Sequence, residues 1–354
     1  MNRLCSCVLG LLFFIYPGIA CPPTDDLDLS TMIQPVDSSS FIRNPAYYHW
    51  CHSIVKESEN HYYLFYARWP KSLGFYAWLT HSEIALAESD HILGPYRNSR
   101  TILLPRKDKW DAVTMHNVQV RRFHDKYYLY YTSTNTGARP ITDSELTSVG
   151  KQGYSHALWG TLRSNQRPGV AVAENPMGEW KRFDRPIVEP SGPIKNVAVN
   201  PTVCEGPDNK YHLIIKGDDV SSKTWRLIQA NGVSDSPEGP FVLEEKSAFS
   251  EIPSEDMFLW YDKKRLRYYA IFHSHGDNFI GLITSTDGKS WEKAQNYKVC
   301  RKEIPLKDGT VMQVDRMERP SVYIEDDLPK ALSFAVKKGD ESFIVILPLK
   351  SNAE

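Results

Sequence analysis

Alternating apolar and polar residues, dense in tyrosine and phenylalanine, recur along the chain as short extended segments. In the clearest copy, residues 117–120 are followed by a polar turn at 124–126 and an aromatic run at 127–131. Period-two alternation on both sides of a polar turn predicts an antiparallel β-hairpin. The hairpin recurs in four further segments: residues 52–66, 200–215, 256–272 and, in a degenerate form, 318–336.

A second element follows four of these hairpins, as at residues 85–96 and 170–180. It consists of a strand, a turn and an outer strand opened by an aromatic residue, so each unit predicts a four-stranded sheet. Units of about 67 residues have the size of a propeller blade. The sequence therefore predicts an all-β, single-domain, five-bladed β-propeller over residues 46–350, and the Gly/Ser/Thr-rich insertion at 136–165 is expected to be a long loop near the site.

The N-terminus has the pattern of an export signal. Arg3 precedes an apolar run at residues 8–16, which is too short to span a bilayer, and small residues follow at 18–20. This pattern predicts a signal peptide over residues 1–20, an N-terminal arm over residues 21–45, and a secreted or periplasmic protein. Cys21 follows the cleavage site directly, so lipidation as a lipoprotein and simple secretion both remain open.

The amino-acid composition limits the classes of partner and cofactor that the protein is expected to bind. The chain of 354 residues carries 42 Lys+Arg and 43 Asp+Glu, a balance that argues against a nucleic-acid partner. Its 19 Tyr, 14 Phe and 9 Trp suit sheet packing and sugar-binding clefts. The sequence contains no phosphate-binding glycine loop or Gly-x-Ser-x-Gly elbow, and its cysteines lack metal-ligand spacing, so we expect neither a cofactor nor a metal.

The candidate site follows from the propeller geometry. The innermost strands of all blades begin at one mouth of the central channel, so residues at the five strand entries should be neighbours. Sugar hydroxyls need polar side chains, and glycosidic cleavage needs two carboxyl groups. The entry residues are His52, Asn117, Asn200, Asp256 and Glu318. Close to them we expect Asp111 as a further catalytic carboxylate and His116, His273 and Arg319 as further substrate-binding residues.

These motifs resemble those of the five-bladed propeller glycosidases around glycoside hydrolase families 43 and 117. The motifs that carry the resemblance are Trp110-Asp111, His116-Asn117, residues 167–173, Asn200-Pro201-Thr202, residues 255–260 and Glu318-Arg319-Pro320. The resemblance implies three acidic residues: a general base, a general acid and a carboxylate that sets the pKa or the orientation of a catalytic group. The matching residues here are Asp111, Asp256 and Glu318. Family 117 uses a histidine as acid beside its late glutamate, whereas Met317 stands at that position here. His116, His273 and Glu255 are therefore alternative proton donors.

The expected function is that of an exo-acting glycoside hydrolase that releases a terminal sugar from plant or algal polysaccharide fragments. The resemblance implies inversion at the anomeric carbon. Two alternatives remain open: a propeller that binds glycans without cleaving them, and a structural propeller without a polar pocket. The expected partner is an oligosaccharide, and the protein is expected to be a monomer or a dimer that exchanges its N-terminal arms.

Overall fold

The computed structural model describes residues 23–350, and its strands form five blades of antiparallel sheet around a central channel. The first two blades contain β1 (Tyr47–Ser58), β2 (His61–Pro70), β3 (Glu83–Ser89) and β4 (Arg97–Leu103), followed by β5 (Thr114–Phe123), β6 (Lys126–Thr134), β7 (Gln166–Ala173) and β8 (Lys181–Arg182). The next two contain β9 (Ile194–Glu205), β10 (Tyr211–Asp219), β11 (Leu227–Ser234) and β12 (Val242–Phe249), followed by β13 (Ser254–Asp262), β14 (Arg267–Ser274), β15 (Ile280–Ser285) and β16 (Glu292–Cys300).

The last blade has three strands in sequence order, preceded by a small hairpin. The hairpin strands are β17 (Glu303–Pro305) and β18 (Val311–Gln313), and the blade strands are β19 (Arg316–Glu325), β20 (Leu328–Lys338) and β21 (Glu341–Pro348). The prediction of an all-β, five-bladed propeller is thereby confirmed.

The repeated hairpins form because each aromatic strand buries its rings against a neighbouring blade. Tyr130 and Tyr131 on β6 are fully buried, as are Tyr269 and Phe272 on β14. The turns suit residues that tolerate a left-handed backbone: His124 has φ 53° in the turn between β5 and β6. Each blade therefore contributes rings to the interfaces on both of its faces, and the interfaces together form the core.

The innermost strand of every blade contains an irregularity at an equivalent position. In β1, β5, β9, β13 and β19 the pairing with the next strand shifts register there. One residue in each irregularity adopts a left-handed backbone, with φ between 44° and 59°. These residues are Cys51, Asn117, Asn200, Asp256 and Arg319. We call them the bulge ring, because the bulges direct their side chains toward the channel axis.

The N-terminal segment packs against the last blades of its own chain. Ile42 pairs with Ile344 of β21, and Ile33 pairs with Leu349. Phe41 stacks on Phe343 with ring centroids 4.7 Å apart. The segment therefore supplies the missing outer edge of the three-stranded blade and closes the propeller.

The insertion at residues 136–165 differs from its prediction as a loop, because it contains α1 (Asp143–Gln152) and α2 (Trp159–Ser164). Thr142 and Glu145 form a reciprocal capping box that satisfies backbone donors at the start of α1. The helix packs on the short 3₁₀ segment Phe75–Leu79, and Gly150 makes this close approach possible. A Cβ added at Gly150 would lie 2.8 Å from the Cβ of Ala77.

The predicted signal peptide at 1–20 and Cys21 lie outside the described residues. Within residues 23–350, no helix has the length and apolar character needed to cross a membrane.

Candidate active site

A cavity of about 750 Å³ opens at one mouth of the channel. Its walls combine rings with ionisable groups, the combination that binds the faces and hydroxyls of sugars. The aromatic lining residues are Trp50, Trp69, Phe75, Trp78, Tyr154, Trp159 and Trp225. The helical insertion supplies Tyr154 and Trp159, so it forms one wall of the cavity, as its predicted position near the site required.

Three members of the bulge ring, Asn117, Asn200 and Asp256, line the floor of this cavity. Cys51 Sγ donates to Asn117 Oδ1 at 2.7 Å, and the Asn117 amide donates to Asn200 Oδ1. The Asn200 amide and the Arg319 guanidinium both donate to Asp256 Oδ1, the latter at 2.9 Å. Hydrogen bonds therefore link four neighbouring pairs of the ring, and its members are buried. A much smaller void, lined in part by His52, Asp256 and Arg319, lies beyond the ring.

The ring corrects the predicted register in two blades. The predicted entries Asn117, Asn200 and Asp256 are ring members, whereas His52 and Glu318 are each one residue away from the true position. His52 faces the smaller void, and its Nε2 lies 2.6 Å from Ser333 Oγ. It therefore does not reach the main cavity. The residue before the ring member points into the main cavity in four blades: Trp50, His116, Glu255 and Glu318.

Glu318 is the carboxyl group with the greatest tendency to hold a proton. Burial raises its pKa to about 7, and the negative charges of Asp256 and Glu255 act in the same direction. Arg316 lies 3.5 Å from Glu318 Oε1 and opposes this shift only in part. The Glu318 side chain is 20% exposed, so the cavity gives access to it. A carboxylic acid with this pKa can donate a proton at neutral pH.

Asp256 and Glu255 are held as carboxylates. Burial opposes the ionisation of Asp256, but the charges of Arg319 and Lys216 outweigh burial and keep its pKa well below the usual range. Lys216 Nζ donates to Glu255 Oε2 at 2.8 Å, and the ammonium charge lowers the pKa of Glu255 despite its burial. The Glu255 side chain is 16% exposed, whereas that of Asp256 is 5% exposed. The cavity therefore presents one protonated and one ionised carboxyl group, with a second ionised group beneath them.

The predicted histidines do not have the pKa of a proton donor. Burial lowers the pKa of His116 to about 3, and its ring stacks on Trp78 with Nδ1 2.9 Å from Ser82 Oγ. Burial also lowers the pKa of His273 to about 4, although its Nδ1 lies 3.5 Å from Asp256 Oδ2. Both rings are therefore neutral at neutral pH, whereas the pKa of Glu318 lies near that pH.

Asp111 lies away from the cavity. Its carboxylate is fully buried and accepts from Arg106 Nε at 2.8 Å, from the Tyr131 hydroxyl at 3.1 Å and from Arg182 NH1 at 3.3 Å. This arrangement satisfies both oxygens within blade 2 and its outer loop. We therefore leave Asp111 out of the candidate site and interpret it as a structural ion pair.

Within residues 23–350, two groups of side chains have the donor atoms of a cation site: Glu255, His273 and His275, and Asp256, His273 and Glu318. Lys216 contacts both Glu255 and Asp256, and Arg319 contacts Asp256. Because protein cations already compensate these carboxylates, we assign no metal to either group.

Several site residues were missed or given minor roles by sequence reasoning. Glu255 precedes a ring member, as His116 does, so the register itself was the available signal. Tyr154 of the insertion carried no signal, because the fold of that segment was not predicted. Arg163 on α2 was also missed; it lines the cavity beside Trp78.

No protein-family model matches the sequence, and no curated protein matches it. Several solved structures do match. A family 117 glycoside hydrolase, Zg3597 from the marine bacterium Zobellia galactanivorans, is 13% identical with a TM-score of 0.60, over 90% of this chain and 88% of that one. An α-L-arabinofuranosidase from Lactobacillus brevis is 14% identical with a TM-score of 0.58, over 90% and 95%. An endo-arabinase from Bacteroides thetaiotaomicron is 13% identical with a TM-score of 0.55, over 91% and 98%.

At these identities the similarity concerns the fold. The fold is that of the five-bladed propeller glycoside hydrolases. The resemblance indicated by the motifs of the sequence is confirmed at this level, with nearly the whole described chain superimposed.

Proposed function

We propose that the protein is a glycoside hydrolase, and that Glu318 is its general acid. The observation that carries the proposal is the pKa of Glu318, raised to about 7 in a cavity that also holds two ionised carboxylates. Glycosidic cleavage requires this asymmetry, since one carboxyl group protonates the leaving oxygen while another acts on the opposite face of the sugar. The propeller fold shared with glycoside hydrolases supports the same conclusion.

The two ionised groups take different roles. Glu255 is the more accessible, and it acts as the base that activates the water attacking the anomeric carbon. Asp256 is tied to Arg319 and Asn200 in the bulge ring, so it acts as a positioning residue that keeps Glu318 protonated. Lys216 holds Glu255 ionised and fixes its orientation.

The expected inversion depends on which carboxyl groups form the working pair. Oxygens of Asp256 and Glu318 approach within 4.8 Å. An inverting acid and base are about 6.5–9.5 Å apart, because a water molecule must fit between the base and the sugar. Asp256 is therefore unsuited to be the inverting base, and we propose inversion with Glu255 in that role.

Exo action and the class of substrate are also proposals. The cavity has its floor in the bulge ring, which suits a single terminal sugar better than the middle of a chain. We propose an oligosaccharide from a plant or algal polysaccharide as the substrate and an exported protein, in line with the apolar N-terminal segment.

The test is sugar release from a panel of agar, carrageenan, arabinan and rhamnogalacturonan oligosaccharides. The mature protein should release one sugar per chain end, and Glu318→Gln and Glu255→Gln should each lower kcat by at least 100-fold. Asp256→Asn, which lowers the pKa of Glu318, should lower kcat at pH 7 by about 5- to 50-fold. Glu179→Gln, an exposed change on blade 2, is the matched control and should leave kcat unchanged. Binding of a panel member without any release would favour the glycan-binding alternative and refute the proposal.

A further inference from the structure

Arg163 differs from the other cations around the cavity. Lys216 is paired with Glu255 at 2.8 Å, Arg319 with Asp256 at 2.9 Å and Arg316 with Glu318 at 3.5 Å. Within residues 23–350, no carboxylate lies within ion-pair distance of Arg163. Among the cations that line the described cavity, Arg163 is therefore the one without a carboxylate partner, whereas Arg316 keeps its partner and loses that partner's charge when Glu318 is protonated.

The guanidinium of Arg163 is held in place by neutral groups. Its carbon lies 5.3 Å from the centroid of the Trp78 ring, and NH1 donates to Gln166 Oε1. A guanidinium has five N–H donors, so donors other than the one on Gln166 remain available toward the cavity that Arg163 lines. Burial lowers the pKa of Arg163, yet the group stays cationic at neutral pH.

Such an arrangement suits an anionic ligand. A buried cation is costly unless an opposite charge or several hydrogen bonds compensate it, and a guanidinium forms paired hydrogen bonds with carboxylate or sulfate oxygens. The charge balance of the cavity lining acts in the same direction. When Glu318 is protonated, the lining carries three cations, Arg163, Lys216 and Arg316, and two ionised carboxylates. The carboxylates are Glu255 and Asp256, and Asp256 is also paired with Arg319 behind the lining.

We propose that the sugar bound in this cavity carries a negatively charged oxyanion group, a carboxylate or a sulfate, and that Arg163 binds this group. The inference rests on the cavity being the sugar site of the proposed function. It adds a specificity-determining residue and narrows the substrate to acidic or sulfated oligosaccharides.

The experiment measures binding separately from cleavage. Isothermal titration calorimetry of the Glu318→Gln protein compares its affinities for the members of matched pairs. The pairs are digalacturonic acid and its methyl ester, a glucuronic-acid disaccharide and its glucose analogue, and sulfated and unsulfated carrageenan and agar disaccharides. We expect the charged member of one pair to bind about 10- to 100-fold more tightly, as expected for a charge-assisted hydrogen bond. The uronate pairs and the sulfate pairs distinguish the two sources of the charge.

Variants of Arg163, made in the Glu318→Gln protein, test whether Arg163 causes the preference for the charged disaccharide. Arg163→Gln should abolish the preference for the charged member of the pair. Arg163→Lys keeps the positive charge but lacks the paired N–H groups of the guanidinium, so it should retain part of the preference. Arg139→Gln changes an exposed arginine of the same insertion, paired with Glu145, and should retain the preference. Circular dichroism of each variant checks that the insertion stays folded.

The outcomes separate the inference from the proposed function. If no charged member binds more tightly than its neutral partner, or if Arg163→Gln keeps the preference, the inference is overturned. Cleavage of neutral oligosaccharides alone would also overturn it, while the proposed function would stand. Tight binding of an acidic disaccharide that is lost in Arg163→Gln supports the inference even if the unmodified protein cleaves nothing, which would refute the proposed function instead.

Discussion

Replacing Asp256 with asparagine tests how the cavity keeps Glu318 protonated. The change is isosteric, and asparagine accepts the left-handed backbone that Asp256 adopts with φ 59°. Its amide oxygen can still accept from Asn200 and Arg319, so the bulge ring keeps its hydrogen bonds. The variant therefore removes a negative charge and little else.

The expected effect follows from the separation of the two carboxyl groups. Their oxygens lie within 4.8 Å, and at an effective dielectric constant of about 20 two unit charges at that distance repel by roughly 3.5 kcal/mol, equivalent to about 2.5 pH units. Arg319 compensates part of the Asp256 charge in the unmodified protein, and burial of Glu318 persists in the variant. We therefore expect the pKa of Glu318 to fall from about 7 to about 5–6.

The pKa can be followed without a substrate by ¹³C NMR of protein labelled at glutamate side chains. The Glu318 signal is the one that Glu318→Gln lacks. Asp262→Asn is the matched control. Asp262 lies on β13, six residues after Asp256, and it is also a buried aspartate that pairs with an arginine, Arg265. A Glu318 pKa that remains near 7 in Asp256→Asn would refute the electrostatic reasoning. Once a substrate is known, the alkaline limb of kcat/KM should move to lower pH by the same amount.

Four further changes test other parts of the structure. The pKa of Glu318 is higher in the folded than in the unfolded protein, so the folded state loses stability as the pH rises toward 7. Glu318→Gln should therefore raise the free energy of unfolding at pH 8 by up to about 3 kcal/mol and leave it unchanged at pH 4. Urea denaturation at the two pH values measures this difference. Asp111→Asn should cost about 3 kcal/mol of stability, since it unbalances a buried ion pair with two arginines, yet leave kcat of the folded protein unchanged. Phe41→Ala should cost about 3–5 kcal/mol through the lost stack on Phe343, and a thermal melt with no shift would contradict the proposed closure of the propeller. Trp225→Ala removes a half-exposed ring at the cavity and should raise KM about 10-fold without lowering Tm, whereas an unchanged KM would exclude Trp225 from the sugar site.

The propeller could be predicted because its signal is local and repeated. Each aromatic hairpin can be recognised from residues that are adjacent in sequence, and five copies imply five blades. Three of the bulge ring members, Asn117, Asn200 and Asp256, were also predicted, from their equivalent positions in the repeat. Asn and Asp are residue types that readily adopt a left-handed backbone. In the blades of Cys51 and Arg319, which are not of these types, the alignment of the repeat was displaced by one residue to His52 and Glu318.

The remaining differences have two causes. Asp111 resembled a catalytic aspartate because a sequence does not show that Arg106, five residues before it, and Arg182, on β8, both pair with its carboxylate. The insertion was rich in Gly, Ser and Thr and was predicted as a loop. Its Thr-x-x-Glu capping box at Thr142 was the signal for helix α1.

The bulge ring has a kinetic consequence. Since its linked side chains close the inner end of the cavity, a sugar and the chain attached to it must enter and leave through one opening. Under the proposed exo-acting cleavage, the shortened chain would lie outside the released sugar and block its exit, so the products would leave in a fixed order, chain first and sugar last. The free sugar should therefore inhibit competitively against the substrate, while the shortened chain should inhibit in a mixed pattern.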